Sequence, residues 1–330
     1  MNVGTIAYSV ESGLGLLAKA FVDAGLINRV LPVRHPHYTH CEGMYSPDLL
    51  YQDPERFLAG LDVLWLFENA FRWNVAQRAK QLGIPIVIMP MYEYTPMPLP
   101  VPADLVICPS LLDLQYYDGR DVPAVYLPVP VSIPWRLRTR ARVWVHNAGH
   151  AGRGYRNGTP ELLKAMRYVK SPIRLLLRGQ PDDSKINVLF NSVPNDPRIQ
   201  VTKAHVPWHQ LWTEGDVFIF PEKFNGLSLP LQEARACGML VMASNRFPIN
   251  TWLPPEPLIP VDHYERDHIA VDITRAVITP QEIARTIDAW YDRDITGYSL
   301  SGRDWALSMN WDTLKPRYVD ALENLLCQSS

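Results

Sequence analysis

Short, continuous apolar runs alternate with stretches of helical period along almost the whole chain. In the first half, Thr5–Tyr8, Arg29–Val33, Asp62–Phe67, Ile84–Met89, Ala103–Cys108 and Ala124–Leu127 predict strands. A helical pattern follows the first strand and ends near Gly25, and a second fills Ala70–Leu82 before Gly83. Runs without polar alternation mark strands buried on both faces, so a parallel sheet covered by helices is expected. Leu127–Pro134, reading LPVPVSIP, is proline-rich and extended, and marks the domain boundary. Beyond it the pattern resumes. Arg142–His146, Ile173–Leu177, Ile199–Val201, Val217–Phe220 and Met239–Ala243 predict strands, with a glycine-rich loop and a helix from about Pro160, capped by Thr159, after the first. Helical period returns over Pro280–Trp290 and over Ser301–Leu326, which contains Pro316.

A chain of 330 residues exceeds the size at which one core usually stops growing, so two domains are expected. With 47% hydrophobic and 20% charged residues it can bury two cores. A net charge of −2 argues against a generally basic nucleic-acid binder. Cys41, Cys108, Cys237 and Cys327 form no CxxC pair, so neither a zinc ribbon nor a disulfide framework is indicated. The N-terminal residues hold no basic region or apolar run of signal length, and no stretch reaches the length of a membrane span. A cytoplasmic protein without an integral membrane segment is expected.

The most informative stretch is Asp216–Asn245, DVFIFPEKFNGLSLPLQEARACGMLVMASN. It predicts a buried strand, a polar loop, a short helix and a second buried strand. Gly226 lets the backbone approach a ligand closely, Ser228 suits an N-cap, and Pro230 fits the first helical turn. The amides and positive dipole end of such a helix favour a phosphate. Glu233, about one turn further in, can accept hydrogen bonds from ribose hydroxyls as an ionised carboxylate. An ordinary strand–helix–strand packing unit accounts for the Leu and Val positions but not for the Asn225–Glu233 loop.

This segment resembles the donor-site signature of retaining family-4 glycosyltransferases, roughly E-G-F-G-L-P-L-L-E-A-x-A-C-G-x-P-V. Gly226, Leu229, Pro230, Leu231, Glu233, Ala234, Ala236, Cys237, Gly238 and Val241 match, while Asn225 stands where the family has its first glutamate. The resemblance implies an α/β chain of two Rossmann-like domains, the GT-B architecture, with an inter-domain cleft. Residues 1–134 would form the acceptor-side domain, with 127–134 as linker, and 135–300 the nucleotide-sugar-binding domain. Helices in 301–330 would return toward the first domain. It further implies a nucleotide-diphosphate sugar, UDP-sugar foremost, as co-substrate with no other cofactor and no metal. Glu233 would hold the ribose; the backbone of Gly226, Leu227, Ser228 and Leu229 would hold phosphate and sugar; Asn225 would bond sugar hydroxyls.

Further matches carry further expectations. The loop His146–Gly158, HNAGHAGRGYRNG, lies where the family binds the leaving diphosphate. His150, Arg153 and Arg156 are its candidate donor ligands, and Asn157 occupies the family's lysine position. Gly179, ending LLLRG, and Val206, in AHVP, fall where the family lines the donor and holds its base. Gly13 and Gly15 resemble the first-domain glycine turn that closes over the donor phosphate. The family's histidine falls at Met91, which leaves Glu93 as the nearest ionisable residue at that strand end. Glu93, Glu222 and Asn225 are the candidate catalytic residues.

Three other constellations bear on function. His35, His37, His40 and Cys41 are close in sequence, but Pro36 and the absence of a second ligand pair speak against a metal centre. Asp292-Arg-Asp294 follows a helix, so no strand-end DxD motif is present. Arg136, Arg138, Arg140 and Arg142 alternate past the linker; if extended they would form a basic acceptor-side stripe. Runs such as MPMYEY and FPEKFNGLSLPLQEA resemble a subgroup common in bacteria and bacteriophages. That implies a hydroxyl acceptor such as a cell-surface glycan or a hydroxymethylated pyrimidine in phage DNA. A non-catalytic sugar-nucleotide-binding protein and a GT-B sugar-nucleotide epimerase are the alternatives.

Overall fold

The computed structural model describes residues 1–35, 40–149, 156–180 and 184–328. The chain divides into two compact units. The first comprises residues 1–130, 268–272 and 309–330; the second comprises 131–267 and 273–308.

The first unit runs β1 (Val3–Tyr8), α1 (Gly13–Asp23), β2 (Arg29–Val33), α2 (Pro54–Leu58), β3 (Val63–Phe67), α3 (Trp73–Gln81), β4 (Ile86–Met89), β5 (Leu105–Cys108), α4 (Leu111–Tyr117) and β6 (Ala124–Tyr126). Its six strands order as β2-β1-β3-β4-β5-β6, with parallel pairs throughout. Every residue of β3, β4 and β5 is buried, as continuous apolar runs require. α3 starts at Trp73 rather than Ala70. Glu68 and Phe71 sit at φ 59° and 55°, a left-handed conformation that no helix interior tolerates.

The second unit runs β7 (Val143–Gly149), α5 (Thr159–Ala165), β8 (Arg174–Gly179), α6 (Ser184–Asn191), β9 (Ile199–Lys203), β10 (Val217–Phe220), α7 (Leu229–Ala236), β11 (Leu240–Ala243), β12 (His263–His268), β13 (Asp272–Val277), α8 (Pro280–Trp290) and α9 (Thr296–Ser308). Its five-stranded parallel sheet orders as β11-β10-β7-β8-β9. Trp144, Leu162, Val217, Ile219, Leu240, Ile283 and Ile287 form one face of the core. Fully burying each such aliphatic side chain contributes about 1.5–3 kcal/mol.

Two features depart from the sequence reading. β12 and β13 pair as a separate two-stranded sheet where no strand was expected. β12, HYERDH, is polar and mostly exposed, so no apolar alternation announces it, and β13, DITRAV, buries only Ile273 and Ala276, too few apolar positions to declare a strand. The C-terminal helical stretch is two helices. α9 stays with the second unit, and α10 (Trp311–Gln328) packs into the first. The first boundary, 130/131, falls inside the expected linker 127–134, and the second falls at 308/309 rather than at 300. Tyr318 explains the second: its ring meets Phe21 at 5.1 Å, and its hydroxyl donates to the carbonyls of Leu127 at 3.1 Å and Pro128 at 3.0 Å. No helix among the described residues is long and apolar enough to cross a membrane.

Candidate functional site

In the second unit the chain runs outward from β7 to β9, then returns to β10 on the other side of β7. The loops leaving the carboxyl ends of β7 and β10 therefore emerge side by side at the sheet's switch point, where α/β proteins bind ligands. The two loops are knitted together. Lys223 N–H donates to Arg156 O at 2.7 Å, and His146 Nδ1 lies 2.8 Å from Ile219 O. Gly158 adopts φ 72°, and a Cβ there would lie 2.1 Å from Pro221 O. Only glycine fits this position.

The β10 loop is held from below. Glu222 is 1% exposed and gives one carboxylate oxygen to Arg246 and the other to the Ser228 hydroxyl. Arg246 also donates to Asn225 O at 2.9 Å, and Asn225 Oδ1 accepts from Ser228 N–H at 3.1 Å. Glu222, a candidate catalytic residue on the sequence, is thus an anchor with both carboxylate oxygens engaged inside the protein. Ser228 stands at the N-cap of α7 but makes no side-chain cap bond, because its hydroxyl is drawn to Glu222. With Ser228 at φ 47°, the loop turns sharply into α7, where Pro230 takes the first turn. No described residue accepts from the N–H groups of Gly226, Leu227 or Leu229, while Leu227 O is taken by Gln232 at 2.6 Å.

Glu233 sits half-buried on α7 and accepts from the Trp208 indole N–H at 2.9 Å. Burial pushes its carboxyl up to about 7, against the lowering effect of the Trp208 bond. Val206 lies half-buried just before Trp208, in the connection between β9 and the one-turn 3-10 helix Trp208–Gln210.

On the β7 side, His150 and Arg153 lie outside the described residues. Arg156 is half-buried beside Lys223. Asn157, at the family's lysine position, is turned inward: it is 5% exposed, donates to Ala148 O at 2.8 Å, and accepts from the Thr159 hydroxyl at 2.9 Å. It shapes the loop rather than presenting a charge. Gly158, not Thr159, is the N-cap of α5, and Thr159 Oγ1 instead meets the buried His146 Nε2 at 2.7 Å. Burial pushes the His146 imidazole down to about 4, so it is neutral near pH 7. At Gly179 the backbone packs closely on α6: a Cβ would meet the side chains of Phe190 at 2.5 Å and Ile186 at 2.9 Å, which would have to shift.

The arginine stripe does not form. Residues 131–139 make no strand, and Arg138 is buried, bonding the carbonyls of Arg136, Trp212, Gly215 and Cys237. Arg136 donates to Thr213 O at 3.1 Å and Arg140 to Asp292 O at 2.9 Å. Arg142, also at the surface, pairs with Asp292 at 2.7 Å, so the alternation reflects one structural arginine among three surface ones.

In the first unit, Gly13 and Gly15 open α1. Gly15 N–H goes to the capping Ser12 hydroxyl at 3.2 Å, and a Cβ on Gly15 would lie 2.1 Å from Val10 O. Glu93 is buried, with its carbonyl accepting from Ala270 N–H at 3.2 Å. Asp113, which the sequence reading missed, bonds Tyr92 N–H at 2.8 Å and the Ser110 hydroxyl. Burial, with the Glu93 charge adding, raises Asp113 to about 7. The S-x-x-D spacing Ser110–Asp113 was the readable signal for this helix start. Among the described residues no three His, Cys, Asp or Glu side chains are grouped to hold a metal ion; His37 lies outside them.

Neither a family model nor the sequence of a curated protein matches this chain. Solved structures do. It is similar to sucrose-phosphate synthase from Thermosynechococcus elongatus at TM-score 0.68 and 15% identity, covering 99% of this chain and 100% of that one. It is similar to HepE from Anabaena in complex with UDP and glucose at TM-score 0.69 and 12% identity, over 98% and 100%. A glycosyltransferase from Rickettsia africae gives TM-score 0.67 at 11% identity, over 98% of each chain. At these identities the likeness establishes the fold: the chain has the two Rossmann-like units of the GT-B architecture.

Proposed function

We propose that the chain is a glycosyltransferase that takes a sugar from a nucleotide-diphosphate sugar, UDP-sugar foremost, and gives it to a hydroxyl acceptor. The observation that carries this reading is the loop–helix at the switch point. Unengaged amides of Gly226, Leu227 and Leu229 precede a helix whose Glu233 carboxylate lies one turn inside. Phosphate at the amides and ribose at the carboxylate match the chemistry of a nucleoside diphosphate. HepE, with nearly the same fold, was solved with UDP and glucose.

In this reading the C1–O bond of the donor breaks and the leaving diphosphate keeps the electron pair. The acceptor oxygen bonds C1 from the same face, and its proton passes to the departing phosphate oxygen, giving retention. The protein contributes positioning and charge rather than a covalent nucleophile. Asn225, whose Oδ1 is engaged by Ser228, offers its amide N–H groups to sugar hydroxyls. Glu93 serves the acceptor side, and no metal is required. A glycan acceptor is favoured over phage DNA, because the arginines that would follow a phosphate backbone are bonded to carbonyls, paired with Asp292 or buried.

The test is mass spectrometry of the protein incubated with a pool of nucleotide sugars and, separately, oligosaccharides and hydroxymethylcytosine DNA. A hexose- or pentose-sized gain on an oligosaccharide supports the reading, and a gain on the DNA moves the acceptor to nucleic acid. Donor bound but never consumed would show a binding protein. Donor converted without acceptor would show an epimerase.

A further inference from the structure

Trp208 and Glu233 come from different elements, 25 residues apart, and meet at 2.9 Å through the indole N–H and Oε1. The turn that carries Trp208 is braced. Gln210 N–H closes on Pro207 O at 2.8 Å, Leu211 N–H on Trp208 O at 3.2 Å, and Arg178 holds Leu211 O at 2.7 Å. Arg138 holds Trp212 O at 2.8 Å a few residues on. A half-buried indole on so fixed a backbone has little freedom to leave its partner. Oε2 of Glu233 is bonded by no described residue. A carboxylate oxygen has two lone pairs, so Oε1 can take the indole and a second donor together.

We propose that Trp208 is a positioning residue for Glu233, fixing the plane of the carboxylate so that both oxygens face the vicinal ribose hydroxyls of the donor. The proposal rests on the donor-site reading above. The indole also donates toward the charged form, which offsets part of the desolvation that burial imposes on this carboxyl. Of the described groups around Glu233, only Trp208 and the Cys237 thiol one turn on interact appreciably with its charge. Removing the indole donor therefore leaves a carboxylate that is both less oriented and less ionised near neutrality.

The experiment is calorimetric titration of UDP and 2′-deoxy-UDP into wild type, Trp208→Phe and Glu233→Gln between pH about 6 and about 9. Glu233→Gln supplies the baseline for the titration of UDP itself. Trp208→Phe is expected to weaken UDP binding about tenfold at pH 7, the effect of one charge-assisted hydrogen bond. Its binding midpoint should move to higher pH, with affinity recovering to within about threefold of wild type at pH about 9. A tryptophan that merely packs would weaken binding equally at every pH, and that result overturns the proposal. If wild type does not prefer UDP over its 2′-deoxy form, or binds neither, the ribose reading of Glu233 falls first. As a check independent of Trp208→Phe folding, one indole resonance of 15N-tryptophan-labelled protein should titrate near pH 7 and stop titrating in Glu233→Gln. No such resonance would also overturn the proposal.

Discussion

Glu222 and Arg246 form a buried ion pair beneath the loop that enters α7, at 1% and 4% side-chain exposure. Both carboxylate oxygens and both terminal guanidinium nitrogens are engaged, since Glu222 also accepts from Ser228 and Arg246 also donates to Asn225 O and Phe247 O, while Arg246 Nε is buried without a partner among the described residues. Removing one partner strands the other charge in the interior. Arg246→Met is therefore expected to cost about 3–5 kcal/mol in urea unfolding. It should also abolish UDP binding in whatever fraction remains folded. An unfolding free energy within about 1 kcal/mol of wild type would contradict the anchoring role.

In the proposed function Glu233 would link donor binding to pH. Its folded-state carboxyl is raised to about 7, and a hydroxyl donates more strongly to an ionised carboxylate than to a neutral acid. UDP affinity is expected to rise as pH increases through about 7, and the rise should vanish in Glu233→Gln. The stability effect has the opposite sign. Between the unfolded value of 4.5 and about 7 the folded state holds more protons, so this group's contribution to stability falls as pH rises. Asp113, raised to about 7 by burial, acts in the same direction, so Glu233→Gln should remove only part of that slope.

His146 works the other way. Its folded value is lowered to about 4, from an ordinary 6.5, because the buried ring disfavours charge. The stability it contributes is present above about 6.5 and is lost as pH falls toward 4. Acid unfolding followed by circular dichroism should therefore begin below pH about 6.5. Replacing His146 with Gln should flatten that limb, and an unchanged acid limb would refute the assignment.

The backbone at Gly158 has no room to spare. With φ 72° and Pro221 O only 2.1 Å from a built Cβ, Gly158→Ala combines strain with a clash against backbone. A loss exceeding about 2 kcal/mol is expected, together with weaker UDP binding, because both loops of the site meet here. Wild-type stability would show that the loops are not packed as described.

Arg136, Arg138 and Arg140 should separate cleanly. Arg138→Met removes a buried guanidinium that satisfies four carbonyls and should cost about 3 kcal/mol or more in unfolding. Arg140→Ala, on an exposed side chain, should leave stability and transfer nearly unchanged. Loss of DNA modification on changing Arg136 and Arg140 together would restore the basic-stripe reading.

Much of this architecture was legible in the sequence because parallel strands declare themselves. β3, β4, β5, β10 and β11 are apolar at every position and buried at every position. The strand–loop–helix–strand from Val217 to Ala243 was likewise readable. What stayed hidden depends on neighbours distant in sequence. β12, HYERDH, has Tyr264 as its one apolar residue, so its pairing with β13 leaves no apolar period. Arg138 and Arg140 look alike in the chain, and only the carbonyls of Trp212, Gly215 and Cys237 distinguish them. Ser228 has the residue type of an N-cap, but a buried carboxylate six positions earlier competes for its hydroxyl. Trp208 carries no local signal that it will meet Glu233.

The central claim is that the loop–helix Asn225–Glu233 binds a nucleoside diphosphate sugar. Isothermal titration of UDP-glucose into wild type and Glu233→Ala, with matched melting temperatures as the folding control, tests it most directly. Saturable binding by wild type and a loss of at least about tenfold in the variant is the expected result. Equal affinity in the two proteins, or no binding of UDP-glucose or UDP by wild type, would contradict it.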